Sequence, residues 1–326
     1  MPERSPSTSE IRVRVADVTV RVASAGHDGP TLCMPEMSRK FEATTDDAVD
    51  LDLSARWGDL STTLLGEPLF DSGGTWKLYR EGDIEVLRFW ASQKPSSPYL
   101  ECRLHAARST GDLILHREFY EPGEPVPALQ YPLDEVLMVH LLGRGRGVEL
   151  HACGVATAGG RGYLFSGQSG DGKTTTARLW EDLPGTVILS DDRIVIRKIG
   201  RQYFMFGTPW HGEAALAENR AAPVDAVFVL GHGNTNRFSP LSVPEAAACL
   251  AARSFVPFHD VEALQWSLGF LAGFANEVPC LRFAFLPDPS AREFVRAGEA
   301  SDSWSPESLC PPPLGAGSIA IDSSRS

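Results

Sequence analysis

The feature that most constrains this sequence is the glycine-rich segment Gly167–Thr174, which reads GQSGDGKT. The apolar segment Tyr163–Ser166 precedes it, and the helix-compatible stretch TTARLWEDL follows it. A strand, a G-x-x-x-x-G-K-T loop and a helix in this order are typical of a P-loop. Its glycines let backbone N–H groups surround phosphate oxygens, and the helix N-terminus adds its positive dipole. The pattern predicts an α/β nucleotide-binding domain; the alternative is a glycine-rich turn without a ligand.

The P-loop also assigns chemical roles to individual side chains. In such loops the lysine reaches the β and γ phosphates, and the hydroxyl that follows it ligates Mg²⁺. The chain supplies Lys173 and Thr174 at these two positions. The residues expected to contact the nucleotide are Gly167, Ser169, Gly170, Gly172, Lys173, Thr174 and Thr175. ATP and Mg²⁺ are therefore the predicted cofactors.

An acidic pair, Asp191 and Asp192, follows the short predicted strand Thr186–Ser190. The distance along the chain from Lys173 is enough for one helix and the return strand of a βαβ unit, which would bring both carboxylates beside the P-loop. Phosphate transfer to a hydroxyl needs a held cation and a carboxylate that takes the proton, and two adjacent acids can divide these tasks. The alternative is a solvated turn.

Residues 147 to 200 resemble the HPr kinase/phosphorylase fold, which shares its nucleotide site with the phosphoenolpyruvate carboxykinases. The resemblance is carried by Leu150-His151-Ala152 before the P-loop, by the loop itself, and by Ser190-Asp191-Asp192-Arg193 after it. It implies an α/β P-loop kinase domain of that type. It further implies that Asp191 is the base for the acceptor hydroxyl, that Asp192 helps to hold Mg²⁺, and that His151 lies beside the transferring phosphate. His151 on an apolar strand could instead be a core histidine.

The segment Gly207–Glu213, which reads GTPWHGE, indicates the acceptor class. It is similar to HPr-kinase-related proteins encoded with ribosomal peptide products, including kinases that phosphorylate the C-terminal Ser of lasso-peptide precursors. The IRG-type signature of HPr kinases is not found after the acidic pair, so HPr itself is not the expected substrate. The resemblance implies a serine hydroxyl of a peptide or small protein as the acceptor.

Six further side chains are candidates for substrate binding. Trp210, His211 and Glu213 lie in a loop bounded by glycine and proline, where they could clamp an acceptor; the alternative is a packed corner. Three arginines could neutralise charge that develops on the γ-phosphate, although such an arginine is more often a surface residue. They are Arg193, Arg220 and Arg237.

Charge and composition exclude several classes of partner. The chain has 42 acidic and 30 basic residues, and the resulting net charge of −12 repels nucleic acid and anionic lipid. We find neither a spanning apolar run nor a signal peptide, so a cytoplasmic location is expected. The six cysteines form no CxxC pair, and neither a zinc site nor a disulfide framework is predicted from them.

The chain divides into a β-rich N-terminal domain, residues 11–144, which helps to recognise the acceptor, and a kinase domain, residues 145–297. Residues 1–10 and 298–326 are polar and are expected to be disordered. Period-2 alternation predicts half-buried antiparallel strands at Ile11–Val22, Trp76–Tyr79, Ile84–Phe89, Leu100–Leu104 and Leu113–Phe119. Helical spacing predicts a helix over Asp134–Leu142.

The sequence thus favours a kinase that transfers the γ-phosphate of ATP to a serine hydroxyl. Two alternatives stay open at this point. One is a small-molecule kinase or carboxykinase-like enzyme, and the other is a nucleotide-binding regulatory module that transfers no phosphate. Whether the chain forms a homo-oligomer is also left open.

Overall fold

A computed structural model of the chain describes residues 9–61, 65–92, 94–105 and 109–300. The fold is mixed α/β and contains two large sheets. Within the described residues the helices are α1 (Leu133–Leu142), α2 (Lys173–Glu181), α3 (Val243–Ala251), α4 (Val261–Glu277) and α5 (Pro289–Ala300). Of these described helices, none has both the length and the apolar character needed to span a membrane.

The first sheet is built from the N-terminal half of the chain. Its described strands are β1 (Glu10–Val15), β2 (Val18–Ser24), β3 (Leu51–Gly58), β4 (Phe70–Asp71), β5 (Trp76–Glu81), β6 (Ile84–Ala91), β7 (Lys94–His105) and β8 (Thr110–His116). They are ordered β1-β2-β3-β8-β7-β6-β5-β4 across the sheet. The sheet gives the β-rich N-terminal region that alternation of apolar residues predicts.

The expectation of purely antiparallel strands is wrong at the centre of this sheet. Strand β3 lies parallel to both β2 and β8, whereas the other neighbouring pairs are antiparallel. Alternation indicates which residues face the core, but it does not indicate strand direction, because both sheet types place alternate side chains on opposite faces. Ala16 and Asp17 join β1 to β2 with φ angles of 49° and 57°. Positive φ at both loop residues matches the twist of a tight hairpin.

The second sheet carries the glycine-rich loop Gly167–Thr174. Its described strands are β9 (Val148–Ala156), β10 (Gly162–Ser166), β11 (Val187–Ser190), β12 (Arg193–Ile199), β13 (Gln202–Gly207), β14 (Ala221–Pro223), β15 (Ala226–His232), β16 (Arg237–Pro240), β17 (Ser254–Phe255) and β18 (Cys280–Phe285). The main order is β14-β13-β12-β9-β10-β15-β18-β16, and β11 and β17 also pair with β9. Apolar residues of α2 and α5 pack with one core cluster, and those of α3 and α4 with another.

Strand β9 organises the site because β10, β11 and β12 all pair with it in antiparallel fashion. Strands β10 and β11 therefore run parallel to each other and are connected through α2, as expected for a βαβ unit. The end of β10 leads into the P-loop, and the end of β11 leads into Asp191 and Asp192. The sheet thus brings the two sequence motifs to the same region.

The N-terminal sheet packs against the second sheet near the site. A single buried cluster contains residues of the first sheet and α1 together with Val195, Phe206 and Trp210. Polar contacts cross the same boundary: Arg197 donates to the carbonyl of Ala16 at 2.6 Å. The helix predicted at Asp134–Leu142 is confirmed as α1, and it contributes to this shared core.

The predicted disordered ends fall largely outside the described residues. Residues 1–8 and 301–326 are not among them. Where the ends are described, the expectation is wrong, because Glu10 begins β1 and residues 298–300 belong to α5. Glu10 is held there by ion pairs with Arg12 and Arg21.

Candidate functional site

The glycine-rich loop Gly167–Thr174 forms a tight turn between β10 and α2. Gly170 and Gly172 have φ angles of 89° and 98°, a region that residues with a Cβ rarely adopt. At Gly172 a Cβ would also lie 2.6 Å from Cζ of Phe285. The loop conformation therefore requires glycine at position 172 for two independent reasons. Helix α2 starts directly after it, so its first N–H groups point towards the loop.

The ammonium group of Lys173 lies inside this loop. It donates to the carbonyl oxygens of Gly167 and Gln168, both at 3.1 Å. Its Nζ lies 3.6 Å from Oδ1 of Asp192. Burial lowers the pKa of Lys173, although the nearby Asp192 carboxylate opposes this shift. The structure thus brings together the lysine and one of the two predicted acids.

Asp192 is at the centre of a charged cluster. Its Oδ1 lies 2.8 Å from Nε2 of His151, and its other oxygen accepts from the guanidinium of Arg193. Burial raises the pKa of Asp192, but the hydrogen bond from His151 and the charge of Arg193 outweigh burial and leave that pKa below its usual value. His151 and Arg193 are opposite each other in the β9–β12 pairing, which explains why both reach Asp192. The carboxylate therefore stays ionised.

Asp191 has a different environment from its neighbour. It is fully buried, and its carboxylate accepts hydrogen bonds from the backbone N–H groups of Gly212 at 2.8 Å and Ala214 at 3.1 Å. A Cβ at position 212 would lie 2.7 Å from Oδ2 of Asp191, so this contact needs a glycine. Asp191 fastens the loop that follows β13. A base must meet the acceptor hydroxyl, and this arrangement encloses the carboxylate instead.

Arg193 is the one of the three predicted arginines that contacts the site. Its guanidinium donates to Glu135 at 3.0 Å, lies 3.6 Å from Glu149, and stacks 4.2 Å above the ring centroid of Phe255. Sequence reasoning missed both glutamates. The sequence could have indicated Glu149 as a site residue, because it lies two residues before His151 on a strand and therefore on the same face. Glu135 lies on α1, and its sequence position gave no indication that it contacts the site.

The other substrate candidates have mixed outcomes. Trp210 is 4% exposed and packs in the core shared with the N-terminal sheet, which matches the alternative of a packed corner. His211 is half-buried and Glu213 is exposed. In the described part of the chain, no side-chain hydrogen bond or ion pair joins Arg220 or Arg237 to the P-loop, and both side chains are exposed.

A groove runs from Asp192 towards the N-terminal region. A cavity of about 180 Å³ is lined by Met37, Tyr131, Glu135, Asp192, Arg193, Trp210 and His211. A second cavity, of about 570 Å³, shares Met37, Tyr131 and His211 with the first and extends along residues 35–40 and 127–131. We call these two cavities the Tyr131 groove. Its walls come from both halves of the chain.

Because Asp134 of α1 is a buried acid, we expect the stability of the protein to depend on pH. Asp134 is buried, and burial together with the charge of Glu135 raises its pKa to about 7. The pKa of such a carboxyl group is higher in the folded protein than in the unfolded protein. Its contribution to folding stability is fully present at low pH and is lost as the pH rises through the folded pKa. The free energy of unfolding should therefore fall from about pH 4, near the ordinary pKa of an aspartate, to about pH 7. This group contributes a slope of at most about 1.4 kcal/mol per pH unit in that range.

Asp134→Asn should remove this part of the slope and raise stability above pH 7. Urea unfolding followed by circular dichroism at several pH values measures the effect. The control is Asp28→Asn, since Asp28 is exposed and this substitution should leave the slope unchanged. Equal slopes for wild type and Asp134→Asn would contradict the prediction.

Comparison with known proteins gives little further information. No family model matches the chain, and no curated protein matches it. Among solved structures, the chain is similar to the Hpr(Ser) kinase/phosphatase from Coxiella burnetii, at 13% sequence identity and a TM-score of 0.27. That match covers 48% of this chain and 98% of the other chain.

Proposed function

We propose that this protein is a phosphotransferase that moves the γ-phosphate of ATP to a hydroxyl group, with a serine of a peptide or small protein as the preferred acceptor. The observation that carries the proposal is the position of Lys173. Its ammonium lies within the glycine-rich loop and 3.6 Å from a carboxylate that is hydrogen-bonded to His151. A buried lysine, an ionised acid and a histidine beside a phosphate-binding loop are the groups that phosphate transfer uses.

The loop residues fit a nucleotide triphosphate. The positive φ angles of Gly170 and Gly172 turn the backbone around the loop, and the N-terminus of α2 directs unpaired N–H groups into it. Thr174, half-buried in the first turn, and Asp192 are the residues that would hold Mg²⁺. Bound Mg²⁺ would neutralise charge on the phosphate oxygens.

Asp192 and His151 together are suited to take the proton from the hydroxyl group that receives the phosphate. If Nε2 of His151 donates to Oδ1 of Asp192, the Nδ1 atom of the ring keeps a free lone pair. The hydroxyl proton goes to that nitrogen while the hydroxyl oxygen bonds to the γ-phosphorus. The bond between that phosphorus and the ADP oxygen breaks. Asp192 orients the ring and stabilises its charged form, as in other base and orienter pairs. This assignment replaces Asp191 as the base, because Asp191 is enclosed by the loop at Gly212.

The Tyr131 groove is the proposed binding surface for the acceptor. It begins at Asp192 and Arg193 and continues along Met37 and Tyr131, so a chain lying in it would present a hydroxyl beside the phosphate site. Tyr131 is 54% exposed, which makes its ring available for contact. A groove with walls from both halves of the chain gives the β-rich region a role in acceptor recognition.

Tyr131→Ala should lower kcat/KM for the acceptor by about 10-fold and leave the affinity for ATP unchanged, because the ring contacts the acceptor alone. Steady-state kinetics with varied acceptor and calorimetry with Mg·ATP measure the two quantities. The matched control is Tyr79→Ala on β5, which lies outside both cavities. An unchanged kcat/KM, or a loss of ATP affinity in the Tyr131 variant, would contradict the groove.

A titration of the purified chain with Mg·ATP tests the proposal at its first step. Binding at one site per chain is expected. Absence of binding would contradict the proposal, whereas binding without transfer to any acceptor would favour a regulatory module. Transfer only to small metabolites would favour a small-molecule kinase.

A further inference from the structure

A cluster of metal-ligating side chains lies away from the P-loop, between the two halves of the molecule. Glu85 is on β6, His140 is in the last turn of α1, and His259 lies between β17 and α4. One ligand atom from each of the three residues lies within 4.8 Å of the other two. Glu85 and His140 are buried, and His259 is half-buried. Three separate elements thus converge on one point.

The contacts within the cluster orient its atoms. Nε2 of His140 lies 2.9 Å from Oε2 of Glu85, and the rings of His140 and His259 stack with centroids 5.2 Å apart. Arg80 donates to the other glutamate oxygen, Oε1, at 2.9 Å. This second contact fixes the carboxylate so that Oε2 faces the histidines, as partners behind a metal ligand do.

An ion pair between Glu85 and His140 explains why these two side chains lie together, but it does not explain the position of His259. Nε2 of His259 is buried, and no hydrogen-bond partner for it is found within the described residues. A buried polar atom without a partner costs on the order of 1–3 kcal/mol, so it calls for a ligand.

We propose that Glu85, His140 and His259 bind a divalent transition-metal ion of the zinc class. Two imidazoles and one carboxylate are a ligand set that Zn²⁺ uses, whereas Mg²⁺ and Ca²⁺ prefer oxygen ligands alone. Ligands of a tetrahedral Zn²⁺ ion lie roughly 3.4 Å apart, given bonds of about 2.0–2.1 Å. Nε2 of His140 and Oε2 of Glu85 lie 2.9 Å apart, so the metal would move these two atoms slightly apart. It would draw His259, which lies outside helices and strands, towards them.

The proposed metal site borders a cavity. This cavity, of about 320 Å³, is lined by His140 and His259 and by aromatic rings that include Phe70, Trp76 and Phe255. Three protein ligands and one open position are typical of zinc sites that bind water or an exchangeable ligand. The ion also connects the first sheet, α1 and the loop before α4, so it stabilises the contact between the two halves of the chain.

The test uses the full chain, without an affinity tag, after treatment with a chelator. Calorimetric titration with Zn²⁺ is expected to show one site per chain, and thermal unfolding is expected to shift to higher temperature on addition of Zn²⁺. Co²⁺ as a probe is expected to give visible d–d absorption. His259→Ala and Glu85→Gln should each weaken the Zn²⁺ affinity by at least about 10-fold.

The matched control is His27→Ala, which removes an exposed histidine far from the cluster in sequence and should leave the affinity unchanged. Circular dichroism of each variant checks folding, and the Co²⁺ spectrum of the wild-type chain tests the site without any substitution. Absence of Zn²⁺ binding to the wild-type chain would overturn the proposal. Binding that His259→Ala leaves unchanged, or that His27→Ala weakens equally, would also overturn it.

Discussion

Replacing Lys173 with alanine should abolish phosphate transfer and weaken the binding of Mg·ATP. The ammonium group is the only positive charge that the loop itself contributes, and it is held within the loop by two carbonyl oxygens. Loss of one preorganised charged donor costs on the order of 10²–10³ in kcat in other enzymes, and the transferring phosphate depends on this donor directly. Labelled transfer and calorimetry with Mg·ATP measure the two effects.

The matched control for this variant is Lys198→Ala. Lys198 pairs with Glu277 on the surface, so the substitution removes one positive charge without changing the loop. It should leave both ATP affinity and turnover unchanged. Turnover in Lys173→Ala that equals the turnover of the control would contradict the assignment of the P-loop.

Asp192→Asn should lower turnover by a factor on the order of 10²–10⁴, the usual range for a positioned base and its orienting partner. An asparagine oxygen can still accept from His151, but it cannot stabilise the charged ring. Thermal stability should change little, because Asp192 is only partly buried. Single-turnover kinetics across pH measures the effect, and the pH profile of the variant should differ from that of the wild type.

The variant Asp191→Asn distinguishes the proposed role of Asp191 from that of Asp192. Both of its carboxylate oxygens accept backbone hydrogen bonds, and an amide can replace only one of them. The substitution should therefore reduce the free energy of unfolding by about 1–3 kcal/mol and disturb the loop around Gly212. If Asp191→Asn lost turnover at unchanged stability while Asp192→Asn stayed active, the base role implied by the family resemblance would be correct instead.

The location of the glycine-rich loop could be predicted because the relevant information is local. Residues Gly167–Thr174 carry the turn, the charge and the start of the helix in one short segment, and the structure forms α2 from Lys173 onwards. The strand before the loop and the strand before the acidic pair were recognisable from their apolar residues in the same way. Local patterns determine such elements without knowledge of the rest of the chain.

The surroundings of the site could not be predicted, because they depend on contacts between residues far apart in the sequence. Glu135 reaches Arg193 across 58 positions, and nothing in either segment indicates the partner. The sequence around Trp210 left open whether this residue clamps an acceptor or packs in a corner. Trp210 is buried because elements of the N-terminal sheet cover it. The different surroundings of Asp191 and Asp192 likewise depend on a loop that returns to the site at Gly212.

Incubation of the full chain with γ-labelled ATP, Mg²⁺ and serine-containing peptides, followed by mass spectrometry of the peptides, tests the central proposal most directly. The peptides should include short ones encoded beside the chain's own gene, each paired with a version that carries alanine in place of serine. We expect label on the serine peptides with the wild-type chain, and none with Lys173→Ala or with the alanine peptides. Bound ATP with no label on any acceptor, or transfer that Lys173→Ala leaves undiminished, would contradict it.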